Sequence, residues 1–183
     1  MRRRLVVLAI SVLVVLGGAG VAMASAPPRL VPTGPTSVVG TDATAVFSVG
    51  GRTIRQVRYR DRGLLSYTFR LHNAGSMPVT VTGWREPAVA ARLFRLVGVT
   101  DDDAERFTIP SGETAAVTLR VRMTSCETLS ARAGSFLSRM DLVTTRAGVW
   151  HDVVPVRLPE ELHTGSPREA FCPNATAGSR PPG

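Results

Sequence analysis

Histidines and methionines are the side chains of this sequence that suit copper chemistry. Exported β-sandwich proteins bind copper through such residues, and the candidates here are His72, His151, Met77, Met123 and Met140. The sequence contains no His-Glu-x-x-His or Cys-x-x-Cys motif, and no two of its three histidines have metal-ligand spacing. Copper binding therefore stays an alternative hypothesis. We assign no residue as a metal ligand, and we expect no cofactor.

Carboxylates and serines do not form a recognisable catalytic arrangement. The run Asp101-Asp102-Asp103 with Glu105 lacks the glycine and the alternate ligand spacing of a calcium loop. It predicts a solvated loop, with a weak cation site as the alternative. Glu160-Glu161 stands where a strand is predicted to end, and no Gly-x-Ser-x-Gly nucleophile elbow occurs. We assign no catalytic residue and predict that the chain is not an enzyme.

The basic residues are all arginine, 22 in number, and they give the chain a net charge of +8. Arg58, Arg60 and Arg62 alternate with Val57 and Tyr59, so a strand here would place the three arginines on one face. One interpretation is a solvated sheet edge. The other is a docking patch for an anionic envelope polymer, lipid head groups or an acidic partner. Aromatic residues are only 5% of the sequence, and we expect no nucleic-acid partner.

Strands are the elements that would position these residues. Apolar and polar side chains alternate over Leu64–His72, where every second residue from Leu65 to Leu71 is large and apolar. Turn chemistry follows at Asn73–Pro78, and a second alternating run lies at Ala115–Met123. Further candidates come at short spacing, including a hairpin that turns at Arg146-Ala147-Gly148. The pattern predicts an all-β, two-sheet sandwich of about seven strands.

The N-terminal region carries the signature of export. Three arginines precede the apolar run Leu5–Leu16, and Ala22-Met23-Ala24 has the form of a signal-peptidase site. Residues 1–26 are therefore either a cleaved signal peptide or an uncleaved anchor, because Leu5–Ala24 is long enough to cross a bilayer as a helix. Both alternatives predict an extracytoplasmic chain, secreted or held at the plasma membrane with its N-terminus in the cytoplasm.

The remaining sequence divides at changes in composition. We predict a Pro/Gly linker at residues 27–42, the sandwich at 43–160 and a flexible tail at 161–183. Cys126 and Cys172 are the two cysteines, and an even pair in an exported chain predicts a disulfide. That bond would tie the first half of the tail to the sandwich.

Two segments resemble a known family. Asn73–Val81 is similar to the strand-turn-strand signature of bacterial immunoglobulin-like domains, which are related to the major-sperm-protein and chaperone-like sandwiches. Ile109–Thr114, followed by an alternating strand, looks like the proline-glycine turn of these domains. The likeness covers roughly Ala43–Leu158 and extends to small exported actinobacterial proteins. It implies an immunoglobulin-like fold and supplies no catalytic residues.

These observations predict a non-enzymatic interaction or structural module of the cell envelope. Its partner would be an unknown protein or an anionic envelope component, bound through Arg58, Arg60 and Arg62. The alternative is an envelope copper-binding protein, with the histidines and methionines named above as its ligand candidates.

Overall fold

The computed structural model of this chain describes residues 27–41, 44–86, 93–124 and 135–164. Its regular elements there are all β-strands, and the described residues contain no helix that is long and apolar enough to cross a membrane. The predicted export segment, Cys126, Cys172 and the tail after Thr164 lie outside the described residues. The export helix and the disulfide therefore stay predictions.

Ten strands build the described part of the chain. They are β1 (Leu30–Val39), β2 (Thr44–Val49), β3 (Arg52–Val57), β4 (Leu64–Asn73), β5 (Val79–Arg85), β6 (Phe94–Asp101), β7 (Phe107–Ile109), β8 (Thr114–Met123), β9 (Phe136–Arg146) and β10 (Trp150–Thr164).

The strands form a two-sheet sandwich. One sheet has four antiparallel strands in the order β1-β4-β8-β6, and the other has six in the order β2-β3-β10-β9-β5-β7. Within the second sheet β3 and β10 run parallel, and the other neighbours are antiparallel. The predicted all-β sandwich is confirmed, whereas the predicted count of about seven strands was too low.

The core forms where the alternating patterns of the two sheets face each other. On β4 the buried apolar side chains are Leu65, Tyr67, Phe69 and Leu71, and on β8 they are Val117, Leu119, Val121 and Met123, all with no measurable exposure. Burial of each such aliphatic or aromatic side chain is worth about 1.5–3 kcal/mol. The period-two pattern thus fixes which face of each strand turns inward.

The predicted linker at residues 27–42 is in part a strand. Residues 30–39 form β1, which pairs with β4 at the edge of the four-stranded sheet. Pro32 and Pro35 suggested a linker, but an edge strand tolerates proline because one side of it needs no backbone donor. The pairing shifts register between Thr33 and Ser37, around these prolines. The sandwich therefore begins at Leu30 rather than at residue 43.

The last strand is also longer than predicted. The sequence suggested an end at Leu158, before Pro159, but β10 continues to Thr164. Its pairing with β9 shifts between Arg157 and Leu162, and the segment beyond the shift also pairs with β3. This bulge accommodates Pro159 inside a central strand, where proline would otherwise remove a ladder hydrogen bond.

Asn73 links the two sheets at one end of the sandwich. Its side chain is fully buried, and its Nδ2 donates to the carbonyl oxygens of Met77 at 2.8 Å and Ile109 at 3.0 Å. Its Oδ1 accepts a hydrogen bond from the N–H of Gly75 at 3.0 Å. Because Ile109 ends β7 in the six-stranded sheet, the turn that follows β4 is fastened to the opposite sheet.

Candidate interaction surface

The outer side of the four-stranded sheet carries exposed arginines on three neighbouring strands. We call this set the arginine face: Arg70 on β4, Arg95 on β6, and Arg120 and Arg122 on β8. The residues before and after Arg70, Arg120 and Arg122 point into the core and are buried. Strand alternation therefore directs these guanidinium groups to solvent.

Three of these arginines come together through the register of β6 and β8. Arg95 and Arg122 occupy directly opposite positions, where Cβ atoms lie about 4.5–5.5 Å apart. Arg120 lies two residues along β8, about 7 Å from Arg122, and faces Gly98. A Cβ on Gly98 would lie 3.7 Å from both Cβ and Cδ of Arg120, so the arginine stem leans over the glycine. We call Arg95, Arg120 and Arg122 the arginine triad.

The arginine face has no compensating acid of its own. None of the outward positions that pair within the four-stranded sheet is acidic. Among the described residues, no ion pair includes Arg70 or any member of the triad. Like charges at directly opposite positions destabilise a sheet, so Arg95 and Arg122 repel each other unless an anion lies between them.

Hydroxyl groups separate the triad from Arg70. Thr68 and Thr118 are directly opposite on β4 and β8, with their Oγ1 atoms 2.8 Å apart, and Ser66 is opposite Arg120. The surface therefore offers guanidinium donors together with hydroxyl donors and acceptors. Such a combination suits an anionic ligand that also carries polar groups.

The predicted docking patch of Arg58, Arg60 and Arg62 lies in the connection between β3 and β4. The sequence predicted a strand as far as Arg62, but β3 ends at Val57, so that prediction was wrong. All three arginines are exposed, and Tyr59 between them is buried. The alternation in the sequence reflects the burial of this tyrosine rather than strand pairing.

Arg62 brings this connection next to the triad. Its backbone has a φ of 58°, its N–H donates to the carbonyl of Met123 at 3.0 Å, and its carbonyl accepts from Nη1 of Arg122 at 3.5 Å. The N–H of Arg60 donates to Sδ of Met123 at 3.0 Å, and both Arg58 and Arg60 have further contacts. The structure thus places one of the three predicted patch residues, Arg62, beside the triad.

The copper candidates do not meet in one place. His72 is on β4 in the four-stranded sheet, whereas His151 is on β10 in the six-stranded sheet. Met123 and Met140 are buried in the core, and Met77 lies in the connection between β4 and β5. Within the ranges that the structure describes, no group of three or more His, Cys, Asp or Glu side chains forms a metal site.

The acidic run at the end of β6 forms an exposed turn. Asp101 and Ala104 exchange backbone hydrogen bonds of 2.8 and 3.1 Å. Asp102 and Asp103, which lie between these two residues, both have positive φ angles. Burial, followed by the nearby charge of Asp102, raises the pKa of Asp101. Asp102, Asp103 and Glu105 are exposed to solvent.

Glu160 and Glu161 each bind an arginine of β3. Nε of Arg55 lies 2.5 Å from Oε2 of Glu160, and its Nη2 lies 3.1 Å from Oε1. Arg52 forms a two-pronged pair with Glu161, and Arg157 lies 3.6 Å from the same carboxylate. The hydrogen bond from Arg52 holds the pKa of Glu161 below its usual value. These carboxylates hold β3 and β10 together.

Comparison with known proteins identifies no family. No family model matches this chain, and no curated protein matches its sequence. Among solved structures, the chain is similar to the cupredoxin domain of amoB from Nitrosocaldus yellowstonii, with 14% identity and a TM-score of 0.29. The matched region covers 62% of this chain and 64% of the cupredoxin chain, just under two thirds of its length. We draw no functional conclusion from a likeness of this extent.

Sequence reasoning predicted the patch at Arg58, Arg60 and Arg62 and did not identify the arginine face. The alternation of β8 directs Arg120 and Arg122 outward, but it does not say which residues of β6 lie beside them. The bulge between Leu96 and Gly98 sets that register. The sequence did contain a general indication of this surface, since several predicted strands carry arginine and no acidic residue at their outward positions.

Proposed function

We propose that this chain is a non-enzymatic interaction module of the cell envelope that binds an anionic partner through the arginine face. The observation that carries this proposal is the absence of acids among the outward paired positions around four exposed arginines. Charge attraction at an exposed surface is screened over about 8 Å at physiological ionic strength. The partner therefore has to bring several negative charges into direct contact with the sheet.

The location outside the cytoplasm belongs to the same proposal. It is supported by the basic and apolar N-terminal sequence and by the Ala22-Met23-Ala24 site. Cleavage would release the chain, and retention of Leu5–Ala24 would hold it at the membrane. Protease accessibility in intact cells tests the location, because a cytoplasmic sandwich would be protected from added protease.

The immunoglobulin-like assignment is also part of the proposal. It is supported by the two packed sheets and by the turn motifs at Asn73–Val81 and Ile109–Thr114. The assignment does not carry the binding function, since one fold hosts many activities. The charged surface carries it.

The direct test is cosedimentation of the full-length chain with the purified cell envelope. We expect binding at about 50 mM salt and release at about 1 M salt, where the screening length falls to roughly 3 Å. The variant R95Q/R120Q/R122Q should lose most of the binding. The control R29Q/R85Q/R106Q removes the same charge from exposed arginines outside the arginine face and should bind like the wild type. Absence of salt-sensitive binding by the wild type would refute the proposal.

A further inference from the structure

We infer that the anionic partner is a phosphate-bearing polymer whose phosphate groups bind at the arginine triad. This inference rests on the proposed function and adds the chemistry of the ligand. The arrangement of the triad, the hydroxyl groups beside it and its place on the sandwich support it.

The arrangement of the triad is unfavourable without a ligand. Arg95 and Arg122 are directly opposite each other, and Arg120 leans toward β6 over Gly98. The three arginines are not spaced apart, and no acidic side chain on the same face neutralises their charge. A bound anion would turn this mutual repulsion into attraction toward one point.

The number of donors favours phosphate over carboxylate. One carboxylate has two oxygens and is matched by the fork of a single arginine. A phosphodiester holds its two charged oxygens and its two ester oxygens in a tetrahedral arrangement, so two or three guanidinium groups can approach it from different sides. Arg122 lies about 5 Å from Arg95 across the two strands and about 7 Å from Arg120 along β8. The three guanidinium groups can therefore reach one phosphate.

The surrounding hydroxyl groups favour a polymer with polar groups between its charges. Ser66, Thr68 and Thr118 lie between the triad and Arg70. A chain of alternating phosphate and polyol units would place its phosphates on arginine and its hydroxyls on these side chains. Arg70 would then bind a second phosphate at the other end of the row.

The position of the triad favours a polymer over lipid head groups. The first residue of β1, Leu30, pairs with Asn73, whereas Arg120 and Arg122 pair with Ser66 and Leu64 at the other end of β4. His72 lies eight positions beyond Leu64 on β4, which corresponds to about 27 Å. A membrane that held the segment before residue 27 would lie toward the end of the sandwich remote from the triad.

The test measures binding of the full-length chain to three probes, with the chain diluted from a neutral detergent to below its critical micelle concentration so that vesicles stay intact. These are linear polyphosphate, polyacrylate as a carboxylate polymer of similar charge spacing, and vesicles of phosphatidylglycerol. The variants are R95Q/R120Q/R122Q, the charge-matched control R29Q/R85Q/R106Q, and R95K/R120K/R122K, which keeps the charge but loses the two-pronged geometry. Thermal melting of each variant confirms that the sandwich is folded.

The expected result is selective binding of polyphosphate. The wild type should bind it at least tenfold more tightly than polyacrylate, the glutamine triad variant should lose at least tenfold in affinity, and the affinity of the lysine variant should fall between them. The control should change less than threefold.

Equal affinity for the two polymers would overturn the phosphate inference and leave the proposed function intact. Preference for the vesicles would replace the polymer with a lipid surface. Equal losses in the triad variant and its control would show that only net charge matters, which also overturns the inference. Failure to bind any of the probes or the envelope would refute the proposed function itself.

Discussion

The two outer faces of this sandwich use the same residue, arginine, in opposite ways. On the six-stranded sheet Arg52 and Arg157 share Glu161, and Arg139 lies 3.5 Å from Asp141. On the four-stranded sheet no member of the triad has an acidic partner among the described residues. Arginines on the first face are therefore part of the fold, and those on the second remain available to an external anion.

The difference teaches that charge alone does not identify a binding surface. An exposed ion pair contributes roughly 0–1 kcal/mol to stability, so the pairs on the six-stranded sheet serve mainly to neutralise charge locally. The triad has no such neutralisation. Removal of a buried arginine contact beside the six-stranded sheet should therefore affect stability, whereas substitutions in the triad should affect binding.

The largest effect is expected at the ion pair in which both side chains are largely buried, Arg55 with Glu160. Glu160→Gln would leave Arg55 without its carboxylate partner while only about a tenth of either side chain is exposed. We expect a loss of about 3 kcal/mol in the free energy of unfolding, measured by urea denaturation. Glu113→Gln, at an exposed site, is the matched control. A loss no larger than that of the control would show that the paired arginines do not support the fold.

The second largest effect is expected at Asn73, which joins the two sheets. Asn73→Ala would remove the donor to the carbonyls of Met77 and Ile109 and the acceptor for Gly75. We expect a loss of about 2 kcal/mol, because buried carbonyl groups would be left without partners. His72→Ala, one residue earlier on the strand, should cost much less in the same denaturation experiment. Similar losses in both variants would contradict the inter-sheet role.

A smaller effect, on the pH dependence of stability, is expected from Glu161, which unlike the triad has a partner of opposite charge. The contact with Arg52 lowers the pKa of Glu161 in the folded chain below the usual value of 4.5. The stability from this contact is therefore fully present above about pH 4.5 and is lost as the pH falls through the lowered pKa. Urea midpoints between pH 6 and pH 3 should fall less steeply for Glu161→Gln than for the wild type. Parallel curves would contradict this contribution.

The smallest effect should have the opposite sign. Arg122→Gln would remove the like-charge contact with Arg95 across β6 and β8. We expect a gain of about 0.3 kcal/mol in the free energy of unfolding at low salt, which should vanish at high salt. Melting curves at the two salt concentrations provide the measurement. A salt-independent loss of stability would mean that Arg122 supports the fold, and the contrast between the two faces would then fail.

Much of the fold could be predicted from local patterns. The alternation at Leu64–His72 and Ala115–Met123 identified β4 and β8, and the tight turn at Arg146-Ala147-Gly148 was also correct, since Ala147 and Gly148 both have positive φ. The proline-containing strand β1 and the end of β10 were missed. In both cases pairing with a neighbouring strand outweighed the local signal of proline.

The sequence by itself determined the sandwich architecture, the inward and outward sides of its clearest strands, and the excess of arginine over acid. Each of these follows from residue type and from the two-residue repeat of a strand. Only the tertiary structure decided which arginines are neutralised. Glu160 and Glu161 reach Arg55 and Arg52 because β10 crosses beside β3, and Arg95 faces Arg122 because a bulge sets the register of β6. Such contacts join residues distant in sequence, and strand order and register are set by the packing of the whole sandwich.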